Sequence, residues 1–551
     1  MSVSQIDTAL LGRMFLAGAK NLEKNKDLIN ELNVFPVPDG DTGTNMTMTI
    51  MSAARDVAGL GDSADMKTLC KAISSGSLRG ARGNSGVILS QLLRGFTRRI
   101  KEESVLTIPV ITEAFAKAVE TAYKAVMVPK EGTILTVARG ISEKARDLNE
   151  DGCMDLEVFL TECLKQGELT LEQTPEMLPV LKQAGVVDSG GKGLVMALAG
   201  AIDLFLGKEV DLTISDTPTE TPQEEEEPVY ANLYCVALSV ALEKPFRLKQ
   251  ELDLRAYLES FGERVKVTST EETLTIHTDT NDPGMVLQKA LTYGELYNVS
   301  VKNQKVEKVE HEKDEEETFT QKAPAPEPEG PVKPVGFIAV SVGDGLAEIF
   351  RSLGVDYVIE GGQTMNPSTE DILNAISKVR AQTVFVLPNN KNIILAANQA
   401  AELTTDKTVL VIPTKTIPQG ITAAINFVPD NTNDENEQAM MAEIQRVRSG
   451  EITYAVRDTM IDDKTIEKGD YMGIGDKGIL AVDKDLTETV KGMLAEMIDE
   501  SSELVSVYYG CDVTEEDANA MADCIRTQFP GVDVELQMGG QPIYYYIMSV
   551  E

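Results

Sequence analysis

The chain is 551 residues long, enough for about two to four domains that each bury a core. Its formal charge of -37 at pH 7 argues against binding nucleic acid or an anionic membrane surface, where a basic face is needed to release counterions. Six cysteines without a CxxC pair, and an amino terminus without a charged-then-apolar leader, lead us to expect a reducing, cytoplasmic setting. The longest apolar stretch, Gly193 to Gly207, carries Asp203 and is too short to span a bilayer, so no membrane insertion is expected.

In chain order, helical spacing comes first: Ile6, Leu10, Met14 and Phe15, then Ile88, Leu89, Leu92 and Phe96, then Leu194, Ala197, Leu198 and Ala201. The spacing predicts an all-helical domain over residues 1–212. An acidic linker follows at 213–228, with Glu224 to Glu227 consecutive. Strand patterns at Tyr234 to Val240, Arg264 to Thr268 and Thr273 to Thr278, with helical stretches at Leu252 to Phe261 and Gly284 to Tyr293, predict a small α+β middle domain over 229–306. A Glu, Lys and Pro-rich linker covers 307–334. Beyond it, the apolar runs Phe337 to Val342, Tyr357 to Ile359, Val384 to Leu387 and Val409 to Ile412 alternate with helices, the pattern of a parallel sheet with crossovers. A β-rich stretch from Ile452 to Val482 leads to strands Leu504 to Tyr509 and Pro542 to Ser549 around a helix from Glu515 to Phe529. These complete an α/β domain of two lobes over 335–551.

The most informative segment is Phe35-Pro36-Val37-Pro38-Asp39-Gly40-Asp41-Thr42-Gly43-Thr44-Asn45-Met46-Thr47. Magnesium takes a few hard carboxylate oxygens and completes its shell with water and phosphate oxygens, which Asp39 and Asp41 can share across Gly40. Asp, Gly and Thr are also ordinary turn residues, so spacing alone leaves an acidic turn open. Three further polar loops each precede a helical stretch: Arg79 to Gly86, Glu131-Gly132-Thr133, and Val187 to Gly193. Helix N-termini present free amides and the positive end of the dipole, and glycine lets the backbone approach a phosphate.

Asn33 to Met46, Ala81 to Gly86 and Val187 to Gly193 resemble the ATP-binding domain of the dihydroxyacetone kinase superfamily, and within it the large, catalytic subunit of bacterial fatty acid kinases. The likeness extends through Gly361 to Ser368 and Pro413 to Gly420, so it covers nearly the whole chain. It implies an antiparallel helical barrel that binds ATP and Mg²⁺ and phosphorylates a fatty acid presented by a DegV-type acyl-binding protein. It further implies a C-terminal domain that docks this carrier and contributes to a homodimer. Carried onto this sequence, Asp39 and Asp41 would ligate magnesium; where the dihydroxyacetone kinases carry a third acid upstream of the pair, the nearest polar candidate here is Asn33. Thr42, Thr44, Asn45, Asn84 and Ser85 would position the phosphates, and Asp188, Gly190 and Gly191 would line the nucleotide pocket; the loop chemistry adds Gly43, Gly83, Gly86 and Thr133 as candidate nucleotide-binding residues.

The residues add a chemical argument for a carboxylate acceptor. Both histidines, His277 and His311, lie outside the helical domain, which therefore has no imidazole to deprotonate a hydroxyl. A fatty acid, with a carboxyl pKa of roughly 4, is ionised at neutral pH and needs no base. Catalysis then reduces to positioning and to charge neutralisation by Mg²⁺ and a basic group such as Arg82 or Arg79. A kinase of a small hydroxylated metabolite, or a nucleotide-sensing scaffold with little turnover, are the competing readings.

Elsewhere, Cys235 with His277 and Asp279 offers a thiolate, an imidazole and a carboxylate for Zn²⁺, although relatives carry a second histidine where Asp279 stands. A buried cysteine and a strand-end histidine are the bland alternative. Asn366 to Asp371 reads as a helix cap, with Ser368 and Asp371 forming a capping box. Pro388 to Asn392 follows a buried-type strand, where ligands of open α/β sheets bind, although turn chemistry explains it equally.

Overall fold

A computed structural model describes residues 5–33, 40–61, 64–126, 128–214, 234–242, 254–255, 257–258, 262–269, 273–303, 332–362, 365–455, 459–461, 464–476 and 478–551. Asp39, residues 215–228 and 307–331 of the segments predicted as linkers, most of the helix expected at Leu252 to Phe261, and Gln363 and Thr364 lie outside the described residues.

The amino-terminal region is helical, as the 3.6-residue spacing predicts. It contains α1 (Thr8–Lys24), α2 (Lys26–Glu31), α3 (Thr42–Ala58), α4 (Met66–Arg79), α5 (Gly83–Ile100), α6 (Ile108–Ala125), α7 (Ile134–Glu150), α8 (Leu156–Glu172), the short α9 (Thr174–Met177) and α10 (Pro179–Ala184), and α11 (Ser189–Phe205). Aspartates start several of them: Asp7 accepts from Leu10 N at 2.8 Å, Asp65 from Thr68 N at 2.8 Å and Asp155 from Glu157 N at 2.8 Å, each satisfying a first-turn amide. The long helices pack in succession from α3 to α8. In addition, α11 lies against α1, α7 and α8, and α1 against α3. Small residues set the closest approach: a Cβ on Gly18 of α1 would come within 2.6 Å of the Ala197 carbonyl of α11, and one on Gly200 within 2.6 Å of the Ala17 carbonyl. A bridge between Ile6 and Leu106 ties the start of α1 to the α5–α6 connection.

The middle region has four antiparallel strands, β1 (Tyr234–Leu242), β2 (Gly262–Ser269), β3 (Thr273–Thr280) and β4 (Gly294–Asn303), in the order β2-β3-β1-β4, with α12 (Pro283–Ala290) beside them. Val236, Leu238, Val240, Leu274 and Ile276 are buried at every second position, the alternation of a sheet with one face on its core. Strand β4 is absent from the sequence reading, because Gly294 to Asn303 is polar at alternate positions and carries no turn signal before it.

The carboxy-terminal region opens with a parallel sheet: β5 (Lys333–Ser341), α13 (Asp344–Ser352), β6 (Tyr357–Glu360), α14 (Thr369–Lys378), β7 (Ala381–Leu387), α15 (Ile394–Leu403) and β8 (Thr408–Val411), with strand order β6-β5-β7-β8. Six consecutive buried residues end β5 and five end β7, as expected for strands covered on both faces. After α16 (Ile417–Ile425) and α17 (Asn433–Glu443) comes a second, mixed sheet. Its elements are β9 (Arg448–Tyr454), the hairpin β10 (Thr459–Ile461) and β11 (Lys464–Ile466), β12 (Tyr471–Gly475), β13 (Gly478–Asp483), α18 (Leu486–Met497), β14 (Leu504–Tyr509), α19 (Glu515–Gln528), β15 (Asp533–Met538) and β16 (Tyr546–Val550). The order β13-β12-β9-β16-β14-β15 joins the stretch around Ile452 to Val482 and the last α/β elements in one sheet. The strand expected from Pro542 begins four residues later, because Pro542 has no N–H to donate and Ile543 is left-handed (φ 70).

The helical and carboxy-terminal regions form one compact unit and the middle region another. Within the first unit, Ala81 and Val87, at the start of α5, are buried in the same apolar cluster as Ile338, Ile372, Val386 and Ala396 of the parallel sheet and its helices. Among the described residues, no helix is long and apolar enough to cross a membrane.

Candidate active site

All four predicted loops stand at helix N-termini, and those termini meet. A Cβ on Gly83, at the start of α5, would come within 2.5 Å of the Asn45 amide in the first turn of α3. One on Gly193 of α11 would come within 2.6 Å of Met46 Sδ, also in α3, and one on Gly190 within 3.4 Å of Ile134 Cβ, the first residue of α7. Helices α3, α5, α7 and α11 therefore begin at one end of the domain and direct the positive ends of their dipoles toward it.

Two aspartates sit at these junctions and behave differently. Asp188 caps α11: its carboxylate accepts from Gly191 N at 2.7 Å and its own amide donates to Thr174 Oγ1 at 3.1 Å. Burial pushes its carboxyl pKa up to about 6 against the pull of backbone hydrogen bonds from Gly191 and Ile134. Asp41 holds the equivalent position before α3, but its side chain makes no capping hydrogen bond. Instead of capping backbone amides, its carboxylate takes hydrogen bonds from the Asn45 side chain, in the first turn of α3, and from the Asn366 side chain, the latter at 2.7 Å. Burial raises its pKa and those amide donors oppose the rise. A half-buried carboxylate withheld from capping at a converging set of helix N-termini is the chemical centre of the site.

The other predicted residues fall into two groups. Thr42, Gly43 and Asn45 are buried in the first turn of α3; Thr44 is half-buried. They interlock with the next loop: Thr49 Oγ1 donates to the Asn45 carbonyl at 2.6 Å and accepts from Arg82 N at 3.3 Å, and a Cβ on Gly86 would overlap Thr49 Oγ1. Asn84 and Ser85 are half-buried in the first turn of α5. Asn33 is buried just past α2. The second group is Thr133, whose hydroxyl donates to the Lys130 carbonyl at 2.8 Å, together with Asp188, Gly190 and Gly191. Its loop is braced by the two-pronged pair between Arg139 and Glu131, at 2.8 and 2.7 Å.

Arg82 and Arg79 separate. Arg79 is paired with Asp56 at 2.7 Å, on the flank of α3. Arg82 reaches into the carboxy-terminal region, donating to the Asn366 carbonyl at 2.8 Å and lying 3.4 Å from Asp371 Oδ2. Sequence reasoning missed two residues. Asn30 of α2 clasps Thr44, accepting from its amide at 3.1 Å and donating to its hydroxyl at 3.0 Å. Asn366 contacts both Arg82 and Asp41 although it stands 284 and 325 positions from them in the chain, and no local pattern signals that. The expected capping box of Ser368 and Asp371 is present. The loop after β7 also reaches across, with Asn84 Nδ2 donating to Asn392 Oδ1 at 3.2 Å.

An apolar cavity of about 210 Å³ inside the helical domain, lined by residues such as Met14, Phe15, Leu92 and Phe96, includes none of these polar loops; its walls suit hydrocarbon and not a triphosphate. In the middle region, the register pairs Cys235 with Asp279 and Ala237 with His277, but those three side chains lie outside the described residues. Among the described residues, no three of His, Cys, Asp and Glu gather to hold a metal, and the zinc expectation gains no support.

Comparison with known proteins now decides the family. Residues 336–551 match the carboxy-terminal model of the FakA-like fatty acid kinase family, residues 231–311 the middle-domain model of the same family, and residues 36–203 the DAK2 domain. The chain belongs to the FakA-like fatty acid kinase family. It is 42% identical over 562 residues to Protein YloV of Bacillus subtilis, covering all of both chains, and 40% identical over 559 residues to an uncharacterized protein of Staphylococcus aureus, again over all of both. Among solved structures it is similar to a DegV family protein of Corynebacterium glutamicum (14% identity, TM-score 0.31, 39% of this chain and 96% of that one). It is also similar to the dihydroxyacetone kinase of C. freundii in complex with AMP-PNP and Mg²⁺ (17% identity, TM-score 0.28, 37% of this chain and 35% of that one). Family membership makes this a kinase-type protein with a helical DAK2 region and α/β sheets behind it.

Proposed function

We propose that this chain is the ATP- and Mg²⁺-dependent subunit of a fatty acid kinase, transferring a phosphoryl group to the carboxylate of a fatty acid held by a separate DegV-type acyl-binding protein. The observation that carries the reading is the convergence of four helix N-termini at one end of the domain, one of them preceded by Asp41, a carboxylate that caps no helix.

The expected ligands suit magnesium: Asp41, with Asn45 and Thr44 in the turn after it, and Asn33 offer oxygens, the hard ligands that Mg²⁺ prefers, and Asp39 is expected to join them. Bound Mg²⁺ supplies charge neutralisation on the phosphate oxygens during transfer. The first-turn amides of Thr42, Gly43, Gly83 and Ser85 have no acceptor within their own helices and are available to phosphate oxygens. Thr133, Gly190 and Gly191 border the same end, where Asp188 fixes the turn into α11. Arg82, held from one side, adds positive charge. The acceptor carboxylate is already ionised at neutral pH, so the absence of histidine from the helical domain costs nothing.

The finer parts of the reading rest on the family resemblance. They are a barrel form for residues 1–212, a middle domain at 229–306, and a two-lobed domain at 335–551 that docks the acyl carrier and dimerises, in a cytoplasmic protein. The test uses purified chain, ATP, Mg²⁺ and a fatty-acid-loaded DegV-type protein. The parent should form acyl phosphate, and Asp41→Asn should lose at least about 100-fold in rate with its thermal unfolding preserved, the scale of a lost charge-stabilising group. Near-normal turnover in Asp41→Asn removes the mechanism. Turnover on dihydroxyacetone in place of the fatty acid moves the protein to the small-metabolite kinases.

A further inference from the structure

One loop of the carboxy-terminal region touches both charged groups on which the proposed chemistry depends. The side-chain amide of Asn366 donates to Asp41 Oδ2 at 2.7 Å, and its backbone carbonyl accepts from the Arg82 guanidinium at 2.8 Å. The guanidinium is steadied further by Asp371, at 3.4 Å. Asn366 is itself buried, at 5% exposure, and the space around it is filled: a Cβ on Gly83 would lie 3.6 Å from its Nδ2.

We infer that Asn366 is a positioning residue of the kinase site, setting the Asp41 carboxylate and the Arg82 guanidinium from the carboxy-terminal region. The inference rests on reading Asp41 as a magnesium ligand.

Three features of the chain make Asn366 suited to this. Its backbone is restrained, because Pro367 confines the residue before it to extended conformations. The turn after it is pinned by the Ser368 and Asp371 capping box and by Thr369 N donating to the Ala81 carbonyl at 3.1 Å, which ties the loop to the segment just before α5. Its side chain is a neutral donor of the right length. It donates to one carboxylate oxygen and brings no charge of its own to compete for the metal. An outer hydrogen bond of this kind orients a ligating carboxylate, and losing one commonly weakens metal binding or activity by about 10–100-fold. A contact that merely docked two domains would not need to end on that carboxylate. The apolar seam of Ala81 and Val87 against Ile372 and Ala396 already does the docking.

The experiment uses the full chain with a non-hydrolysable ATP analogue and Mn²⁺ as a spectroscopic substitute for Mg²⁺, free Mn²⁺ being counted by electron paramagnetic resonance. Asn366→Ala should weaken Mn²⁺ binding about 10-fold or more, while analogue binding measured in EDTA stays within about twofold. In turnover, the apparent Mg²⁺ constant should rise by a similar factor. Asn366→Leu, which keeps roughly the volume and removes the side-chain amide, should behave the same way if Asn366→Ala is poorly folded. Unchanged Mn²⁺ affinity in either folded variant, or a loss confined to thermal stability, overturns the inference. Asp41→Asn separates the two levels. If it too binds Mn²⁺ like the parent, the reading of Asp41 fails; if it loses Mn²⁺ while the Asn366 variants keep it, only the role of Asn366 fails.

Discussion

Gly43, in the first turn of α3, faces the main-chain carbonyl of Lys26 in α2 with no room for a side chain: a Cβ there would overlap that oxygen and lie 2.9 Å from Asn30 Oδ1. Backbone cannot yield as a flexible side chain does, so Gly43→Ala must push α2 and α3 apart, a shift that costs about 1–3 kcal/mol. The same shift breaks the clasp of Asn30 on Thr44, which fixes the Thr44 hydroxyl in the first turn of α3. Gly43→Ala should therefore lower the denaturation midpoint and weaken ATP binding about 10-fold or more, read by calorimetric titration. Retained ATP affinity in a destabilised variant would reduce Gly43 to a packing residue.

Asn30 itself offers a milder version. Asn30→Ala removes both hydrogen bonds to Thr44 without forcing any backbone apart, at a cost of about 1–2 kcal/mol. ATP affinity should fall severalfold, and Asn30→Asp, which keeps the acceptor for the Thr44 amide but loses the donor, should land between parent and alanine. An alanine variant that binds ATP like the parent would show that the α3 turn holds its shape unaided.

The two regions of the first compact unit are held together at Val87, 3% exposed, which is buried among side chains of the parallel sheet and its helices. Placing a carboxylate there leaves it either desolvated or driving the seam open, and opening is the cheaper course. Val87→Asp should increase the radius of gyration in solution scattering, leave the helix content by circular dichroism intact, and reduce turnover at least 10-fold by withdrawing Asn366 from Asp41. Unchanged scattering would mean that the polar contacts of Arg82, Asn84 and Asn366 hold the regions together without the apolar seam.

How much of this was legible beforehand follows from the range over which each signal acts. Helical spacing from Ile6 to Ala201 and the buried runs at Val384 to Leu387 are local patterns, and both elements are where they are expected. The helix expected at Gly284 to Tyr293 is observed at Pro283–Ala290, and the strand at Leu504 to Tyr509 matches residue for residue. The placement of the three further polar loops at helix N-termini is likewise readable, because capping chemistry is written within a few residues. Strand β15, Asp533–Met538, was missed because its exposed, polar alternation lies at a sheet edge with little apolar signal. Asn366 was explained by its neighbours' capping box, which is present, and that local explanation hid its second contact with Asp41. Contacts between residues hundreds of positions apart leave no trace in spacing.

Asp188 supports a prediction in pH. Its carboxyl is raised from an ordinary value of 3.8 to about 6, chiefly by burial. A carboxyl whose pKa is higher in the folded than in the unfolded chain contributes stability that is fully present below the unfolded value and is lost as pH rises through the folded one. The parent therefore carries a penalty above about pH 6 that it lacks near pH 4. Asn at this position keeps an oxygen to accept from Gly191 N and has no charge to desolvate. Asp188→Asn should be close to the parent in stability near pH 4 and gain on it steadily to about pH 7, by at most about 3 kcal/mol, before levelling off. Urea midpoints at pH 4, 5, 6 and 7 give the comparison; a difference that is flat, or that shrinks as pH rises, would mean the charged carboxylate is stabilised by the first turn of α11 more than burial opposes it.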